Sequence, residues 1–299
     1  MYLFRRSRDV SQAHTRLATV SDLPRIARLL RDGVRRYYGL HGSDLPGLLT
    51  TLPVVVVESG SELWGVALSG WHLDGITWLR GLALARGVEV HDGLDALLPF
   101  LHTTLRRAGL KQIFYCGDDV ADTWLLPALI DHGYVLDTNV VVYEKKSLTL
   151  PDYGNQFMHI RRAESGDLDA LITLDRLCFE PHWTKDHAML GPAIAQGALF
   201  LVAVQDQEIV GYTYATSHFN GRLVHLVRLA VNPVWRGLGI GVRLLAEVVL
   251  FARYQHADLI TLNTQSYNAS AQRIYRWFGF VPTGESQSVL RYELMNDEP

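Results

Sequence analysis

The 299-residue sequence has little cysteine, no large excess of one charge and no long hydrophobic run. Its two cysteines, Cys116 and Cys178, stand apart, which excludes a disulfide framework and a cysteine-based metal cluster and fits a reducing cytosol. The formal net charge is −3 without a basic run, so the usual electrostatic signature of nucleic-acid binding is missing. Apolar stretches such as Leu244–Ala252 are far shorter than the roughly 20 residues that span a bilayer. We therefore predict a cytoplasmic protein with no metal, no nucleic-acid partner and no membrane segment.

A faint internal repeat divides the chain into two halves. Hydrophobic residues make up 48% of the sequence, which is enough for two buried cores. Four segments recur in the same order at offsets of 145 to 147 residues, among them Leu82–Leu84 with Leu229–Val231. We predict a duplicated domain with halves at 1–146 and 158–299, joined by a linker at 147–157 that contains Pro151 and Gly154.

Both halves predict the same order of elements: a strand, one or two amphipathic helices, antiparallel strands, and then helix–strand–helix–strand. In the second half the strands are predicted at Leu199–Val204, Ile209–Thr216, Leu223–Val231, Leu259–Thr264 and Ser288–Leu294, and later helices at Leu238–Tyr254 and Ala269–Trp277. The mixture predicts an α/β (α+β) fold, in which a mixed, mostly antiparallel central sheet is flanked by helices.

The segment Val231–Gly241 joins a predicted strand to a long helix and holds glycines at 237, 239 and 241. Glycine lets the backbone approach a ligand, and a helix N-terminus presents unpaired N–H groups to an anion. Arg236 adds a positive charge. The segment lacks the Gly-Lys-Ser/Thr of a P-loop and fits a dinucleotide-binding fingerprint poorly. It indicates a pyrophosphate cradle, with a purely conformational turn as the alternative.

A second motif, Asn268–Phe280, follows the next predicted strand. Together the two motifs resemble the GNAT acetyltransferases (Gcn5-related N-acetyltransferases) over about residues 158–295. The acetyl-CoA signature Arg/Gln-x-x-Gly-x-Gly/Ala is matched by Arg236, Gly239 and Gly241, and the later Asn-x-x-Ala-x-x-x-Tyr by Asn268, Ala271 and Tyr275. The resemblance implies two tandem GNAT folds, acetyl-CoA as cosubstrate and transfer to a primary amine by direct attack on the thioester.

The resemblance also implies a role for each matched residue. Backbone N–H groups from Gly237 through Leu238, Gly239, Ile240 and Gly241 would hold the pyrophosphate of CoA. Leu229 and Val231 would pair with the pantetheine arm, one N–H polarising the thioester carbonyl. Asn268 would contact the pantetheine or the cofactor backbone, Ala271 belongs to the same motif, and Tyr275 would lie beside the thioester sulfur.

Proton transfer defines two further candidates. An alkylammonium has a pKa of about 10, so a base must remove its proton at pH 7, whereas Tyr275 stays protonated and is the predicted acid for the departing thiolate. Family members often place a glutamate five residues before the small residue of the "Ala-Val" segment. Here that position holds His225, the predicted base. A hydrogen-bonded core histidine is the alternative interpretation, and His218 is a second candidate base.

Acceptor-side candidates are Trp183, Tyr212 and Tyr214, each with core packing as the alternative. Trp183 lies in Phe179–Thr184, which resembles the corresponding segment of ribosomal-protein-alanine N-acetyltransferases. The predicted acceptor is therefore a primary amine on a small molecule or a peptide N-terminus.

The first half loses the cofactor motif, because residues 1–150 contain no Arg-x-x-Gly-x-Gly and carry Glu89 and Asp92 at the aligned positions. We predict a degenerate domain, a layout shared with tandem family members such as mycothiol synthase. The predicted assembly is a monomer with an intrachain pseudo-dimer, or a homodimer. The alternative functions are a non-catalytic CoA-binding sensor or scaffold, and a mycothiol-synthase-like small-molecule acetyltransferase.

Overall fold

The computed structural model describes residues 8–39 and 45–294. The chain divides into two compact units: unit 1 runs to Thr138 and resumes at Gln287, and unit 2 comprises Asn139–Ser286. Both boundaries fall inside β-strands, within Val135–Lys145 and within Val281–Glu293. The end of the chain therefore groups with unit 1, whereas the division of the sequence at 147–157 assigned it to the second half.

Unit 1 is built on a mostly antiparallel sheet. Its helices are α1 (Leu23–Asp32), α2 (Leu45–Thr51), α3 (Val90–Arg107) and α4 (Leu125–Asp131), and its first strands are β1 (His14–Leu17), β2 (Arg35–Tyr38), β3 (Val54–Ser59), β4 (Glu62–Leu73), β5 (Ile76–Leu84) and β6 (Gln112–Cys116). The strand order is β1-β3-β4-β5-β6, with β2 as an additional antiparallel partner of β5. Only the β5–β6 pair within this set is parallel.

Unit 2 repeats this plan. Its elements are the later part of β7 (Val135–Lys145), then β8 (His159–Arg162), α5 (Leu168–Cys178), α6 (His187–Gln196), β9 (Leu199–Gln205), β10 (Glu208–His218), β11 (Leu223–Val231), α7 (Ile240–Tyr254), β12 (Leu259–Gln265), α8 (Ala269–Trp277) and the first part of β13 (Val281–Glu293). The strand order is β8-β9-β10-β11-β12-β7, and only β11 and β12 are parallel. The later part of β13 pairs with β6 in unit 1.

Helices cover both faces of the unit 2 sheet. Alternate side chains of β9 point to opposite faces: Leu199 and Leu201 pack with the buried residues of α7, whereas Phe200 and Val202 pack with those of α5. The apolar stripe of α7 includes Leu245, Val248 and Val249, at helical spacing. The predicted fold class is thus confirmed.

The two units share an irregularity at corresponding positions of the sequence repeat. In unit 2 the β10–β11 register shifts so that Val227 has no partner opposite, and in unit 1 the β4–β5 register shifts at Arg80 in the same way. These two bulge residues are 147 positions apart, which is one of the offsets of the sequence repeat. A β-bulge bends its strand, so β5 and β11, each the fourth strand of its unit's antiparallel set, bend at the same place.

Candidate functional site

The parallel strands β11 and β12 pair over only part of their length. Their register joins Leu223 to Leu259 and ends with Leu226 opposite Leu262, although β11 continues to Val231 and β12 to Gln265. The bulge at Val227 follows directly after the last pair. The two strands therefore separate, and in the described residues no strand pairs with this edge of β11 from Val227 to Val231.

The separated edge of β11 carries unpaired backbone N–H groups. Asn232 donates its N–H to Val210 O on β10 at 2.9 Å, and successive N–H groups of a strand alternate in direction. The N–H groups of Val231 and Leu229 consequently point away from β10, toward the open edge. On that edge Val231 O accepts from Arg236 Nε at 3.1 Å and from Cys178 Sγ at 3.3 Å.

The glycine loop continues this edge into the start of α7. Gly237 and Gly239 have φ angles of +83° and +75°, which glycine adopts without strain, and Gly239 is the N-cap of the helix. Across the described chain, no protein acceptor bonds the backbone N–H groups of residues 237 to 242. Because the left-handed Gly239 delays the helix, α7 begins at Ile240 rather than at the predicted Leu238. The loop and the helix start present their amides together, which suits an anion.

The carbonyl side of this loop is held by a segment that the sequence analysis treated only as a linker. Asn155 donates its backbone N–H to Gly239 O at 3.2 Å and its Nδ2 to Leu238 O at 3.0 Å. Its neighbour Gly154 lies so close to α7 that an added Cβ would be 2.3 Å from Arg243 N. With its carbonyls bound on one side, the loop has its N–H groups left for a ligand. The Gly-Asn pair at 154–155 belongs to no motif by which sequence reasoning would find this role.

The second motif forms the first turns of α8. Asn268 is the N-cap of this helix, and its Oδ1 accepts from the N–H of Ala271 at 3.2 Å. Tyr275 is 7% exposed and packs beside Tyr143 and Phe280, with ring centroids 6.3 and 6.0 Å away. Burial raises the pKa of its phenol to about 12. Tyr275 is therefore protonated at neutral pH.

His225 lies on β11 at the last paired section before the strands separate. Its Nδ1 is 2.9 Å from Thr261 Oγ1 on β12, its partner in the parallel register. Burial, and secondarily the charge of His218, lower the pKa of this imidazole below its ordinary value. His225 is therefore neutral at pH 7, the state that a base requires. His218, the other candidate, is at the end of β10 with Nε2 2.9 Å from Thr216 Oγ1.

A buried ion pair, absent from the sequence predictions, fixes Phe179–Thr184, the predicted acceptor-side segment, against β11. Asp175 on α5 is fully buried and binds Arg228 of β11 through two contacts, of 2.7 and 2.9 Å. Arg228 also donates to Trp183 O at 2.7 Å, and its guanidinium lies 3.4 Å from the ring centroid of Phe179. Charge patterning gave no signal here, because the partners are 53 residues apart and Arg228 sits within an apolar strand.

The remaining acceptor-side candidates are distributed between this network and the core. Tyr212 is fully buried, and its hydroxyl donates to Asp175. Tyr214 is buried and stacks on Phe200. Trp183 is half-buried beside His182. Their place in acceptor recognition stays a prediction.

Neither a metal centre nor a membrane segment is seen in the described ranges. Residues 8–39 and 45–294 contain no group of three or more His, Cys, Asp or Glu side chains suited to a metal ion. Within the same ranges no helix is both long and apolar enough to cross a bilayer.

Comparisons with known proteins identify the fold of both units and the family of the second. The acetyltransferase (GNAT) family model matches residues 168–280. An uncharacterised N-acetyltransferase of Methanocaldococcus jannaschii is 32% identical over 125 residues, which are 41% of this chain and 78% of that protein. The N-acetylaspartate synthetase of Danio rerio is 27% identical over 134 residues, or 45% of this chain and 44% of that protein, so the match spans less than half of this relative.

Two solved structures share the fold along nearly the whole chain. A GCN5-related N-acetyltransferase from Sphaerobacter thermophilus has a TM-score of 0.64 at 18% identity, covering 97% of this chain and 98% of its own. A tandem GNAT protein from the clavulanic acid biosynthesis pathway has a TM-score of 0.61 at 12% identity, covering 96% and 100%. At these identities the likeness concerns the fold alone. With the sequence relatives and the family model, these findings show that the chain belongs to the GNAT acetyltransferase family.

Proposed function

We propose that the protein is an acetyl-CoA-dependent N-acetyltransferase whose acceptor is a primary amine. The observation that carries this proposal is a pair of neighbouring sets of unpaired backbone N–H groups: those of Leu229 and Val231 on the edge of β11, and those of residues 237 to 242 in the loop and the start of α7. Such an arrangement suits a ligand that has amides at one end and a pyrophosphate at the other. Acetyl-CoA has this layout.

The cofactor-side residues divide by the chemistry that each can offer. Gly237, Leu238, Gly239, Ile240 and Gly241 would hold the pyrophosphate through N–H groups, and the exposed Arg236 would add positive charge. Leu229 and Val231 would pair with the pantetheine amides. Asn268 and Ala271 would border the same groove. The Oδ1 of Asn268 caps α8, and its Nδ2 would be the group that donates to the cofactor.

Bound acetyl-CoA would supply an activated acyl group as a thioester. The N–H groups at the open edge of β11 would polarise its carbonyl, since fixed donors stabilise charge that develops on oxygen. His225, neutral at pH 7, would take the proton from the incoming ammonium, directly or through water. Tyr275 would donate a hydrogen bond to the leaving sulfur, because its phenol, with a pKa of about 12, stays protonated throughout the neutral range.

The experiment is an assay of CoA release from acetyl-CoA with and without an amine. L-aspartate and a peptide with an N-terminal alanine serve as first acceptors, because the relative from Danio rerio synthesises N-acetylaspartate and Phe179–Thr184 resembles the alanine N-acetyltransferases. We expect release to depend on an amine. Binding without any release across a broad amine panel would indicate a sensor or scaffold instead.

The Tyr275→Phe variant tests the acid in the same assay. Losing the phenol hydroxyl should lower kcat by about 10²-fold with little change in acetyl-CoA affinity, since general-acid contributions are of that order. Tyr254→Phe, an exposed tyrosine at the end of α7, is the matched control and should leave kcat unchanged. A wild-type rate in Tyr275→Phe would remove this residue from the mechanism.

A further inference from the structure

Unit 1 contains the counterpart of the open edge of β11. Its strand β5 corresponds to β11 through the repeat that relates Leu82–Leu84 to Leu229–Val231, and through the bulge at Arg80 that corresponds to Val227. Here too the parallel pairing stops early: β5 and β6 pair from Ile76 opposite Gln112 only as far as Trp78 opposite Phe114. In the described residues β6 thus does not pair with β5 from residue 80 to Leu84.

In unit 1 this edge is already occupied by the chain itself. Strand β2 pairs antiparallel with β5, with Arg35 opposite Leu84 and Tyr37 opposite Leu82. The N–H of Gly39 extends the ladder by donating to Arg80 O at 2.9 Å. The N–H of Ala85 bonds Trp64 O, so those of Leu84 and Leu82 point toward β2, as those of Val231 and Leu229 point toward the open edge in unit 2.

The side chain of Tyr37 fills the space where β5 and β6 separate. It is 5% exposed, and its hydroxyl lies 2.8 Å from Cys116 O at the end of β6 and 3.3 Å from Leu79 O on β5. Its ring packs edge-on against Tyr115 at 5.0 Å. Strand β2 therefore contacts both walls of the groove.

The chain that precedes β2 is adapted to this approach. A Cβ at Gly33 would lie 2.6 Å from Leu29 O and 3.1 Å from Leu84 O, so only glycine lets the chain pass this close to the end of β5. In unit 2 the corresponding segment after α5 begins with Phe179 and forms a 3-10 turn at Pro181–Trp183 instead of a strand. One segment of the repeat thus closes the edge in unit 1 and leaves it open in unit 2.

The start of the helix that follows the groove also differs between the two units. Five residues connect β5 to α3, whereas eight connect β11 to α7. The N-cap of α3 is Glu89, an acid, where α7 has the left-handed Gly239. A carboxylate at this position repels a pyrophosphate, and the shorter loop removes the amides that would bind it.

We propose that β2 occupies the cofactor groove of unit 1 as a permanent internal substitute for the pantetheine arm, so that acetyl-CoA binds in unit 2 alone. This inference rests on the proposed function only for the identity of the ligand. The pairing of β2 with β5 gives it a separate physical basis. The inference predicts that one acetyl-CoA binds per chain, and that the groove of unit 1 is occupied by β2.

Hydrogen exchange on the full chain, with and without saturating acetyl-CoA, tests this inference. We expect the amides of Arg35, Tyr37 and Gly39, which face β5, and those of residues 82 to 84 to be protected in the free protein and unchanged by acetyl-CoA. Exchange at Leu229, at Val231 and at residues 237 to 242 should slow by about tenfold or more when acetyl-CoA binds, because those amides gain acceptors. Slowing at 80–92 would overturn the inference while leaving the proposed function intact, as would rapid exchange of 82–84 in the free protein. If acetyl-CoA slowed exchange nowhere in the chain, the proposed function would be contradicted, and neither unit would have a cofactor groove.

The Gly239→Asp variant separates the two units. A carboxylate in the unit 2 loop should abolish the slowing at Leu229, Val231 and residues 237 to 242. Gly166→Ala is the control, because its new Cβ meets no atom within 4 Å. If acetyl-CoA still protected amides in unit 1 of Gly239→Asp, β2 would not be filling the groove.

Discussion

The chemistry proposed for unit 2 depends on two side chains whose pKa values are shifted in opposite directions. Burial lowers the pKa of His225 and raises that of Tyr275 to about 12. At pH 7 the imidazole is therefore neutral and the phenol protonated, the pairing that a base and an acid need. The same desolvation acts on both groups, because it disfavours whichever form carries charge.

A pH profile of kcat/KM tests His225. The ordinary pKa of histidine is about 6.5, and the pKa of His225 is lower. We therefore expect activity to persist below pH 6.5 and to fall only at the lower pH at which this imidazole becomes protonated. In His225→Gln the acidic limb should disappear together with most of the rate. His187→Gln, an exposed histidine on α6, is the control. An acidic limb that persists in His225→Gln would assign the base to another group.

The pair Asp175–Arg228 gives a stability prediction at the same scale. Asp175→Asn leaves the guanidinium of Arg228 buried without its charge partner, which should lower the free energy of unfolding by about 3–5 kcal/mol. Asp169→Asn, on the solvent-exposed side of the same helix, should change it by less than about 0.5 kcal/mol. Denaturant unfolding of both variants measures the difference. Equal stabilities would mean that the pair does not hold α5 to β11.

The helices and strands that were predictable from sequence are those whose local sequence preference matches the structure that their tertiary contacts impose. Strand β11 and helix α8 begin and end where the sequence predicted, because apolar spacing and the Asn268 cap act within each segment. Strand β13 was predicted only from Ser288, yet it begins at Val281. Pro282 and Gly284 suggest a turn there, and pairing with β7 overrides that local preference.

Strand β2 was not predicted at all, and neither was the contact of the linker with α7. The sequence Arg35–Tyr38 is short and half charged, so its strand state comes from the edge of β5 and not from its own periodicity. The glycine loop, proposed to bind the cofactor, was recognisable because its motif is local. The residues that support the loop, Gly154 and Asn155, were missed because their roles depend on contacts more than 80 positions away.

The contact between the linker and α7 can be tested with a matched pair of glycines. Gly154→Ala places a Cβ 2.3 Å from Arg243 N and forces alanine to a φ of +68°, which should cost about 1–3 kcal/mol of stability. It should also weaken acetyl-CoA binding, because the contacts of residues 154 and 155 that hold the glycine loop in place would be disturbed. Gly166→Ala meets no atom within 4 Å and should be neutral in both measurements. A Gly154→Ala protein with unchanged stability would show that this close packing does not exist in solution.

Considered as a whole molecule, the chain contains the same fold twice with different outcomes. Both units keep the bulge and the early end of the parallel pairing, which open a groove between two strands. Unit 2 leaves that groove open beside a glycine loop, whereas unit 1 fills it with β2. The two units thus share the geometry of the sheet and differ in the segments that connect its elements, and our proposal assigns the difference in ligand binding to those segments.

Calorimetric titration of the full chain with acetyl-CoA tests the central claim most directly. The account predicts saturable binding with a stoichiometry of one per chain, abolished in Gly239→Asp. Binding that survives in that variant, or a stoichiometry of two, would contradict the assignment of the site to unit 2 alone. An absence of any heat at concentrations far above those of metabolic cofactors would contradict acetyl-CoA as the ligand of the open edge of β11.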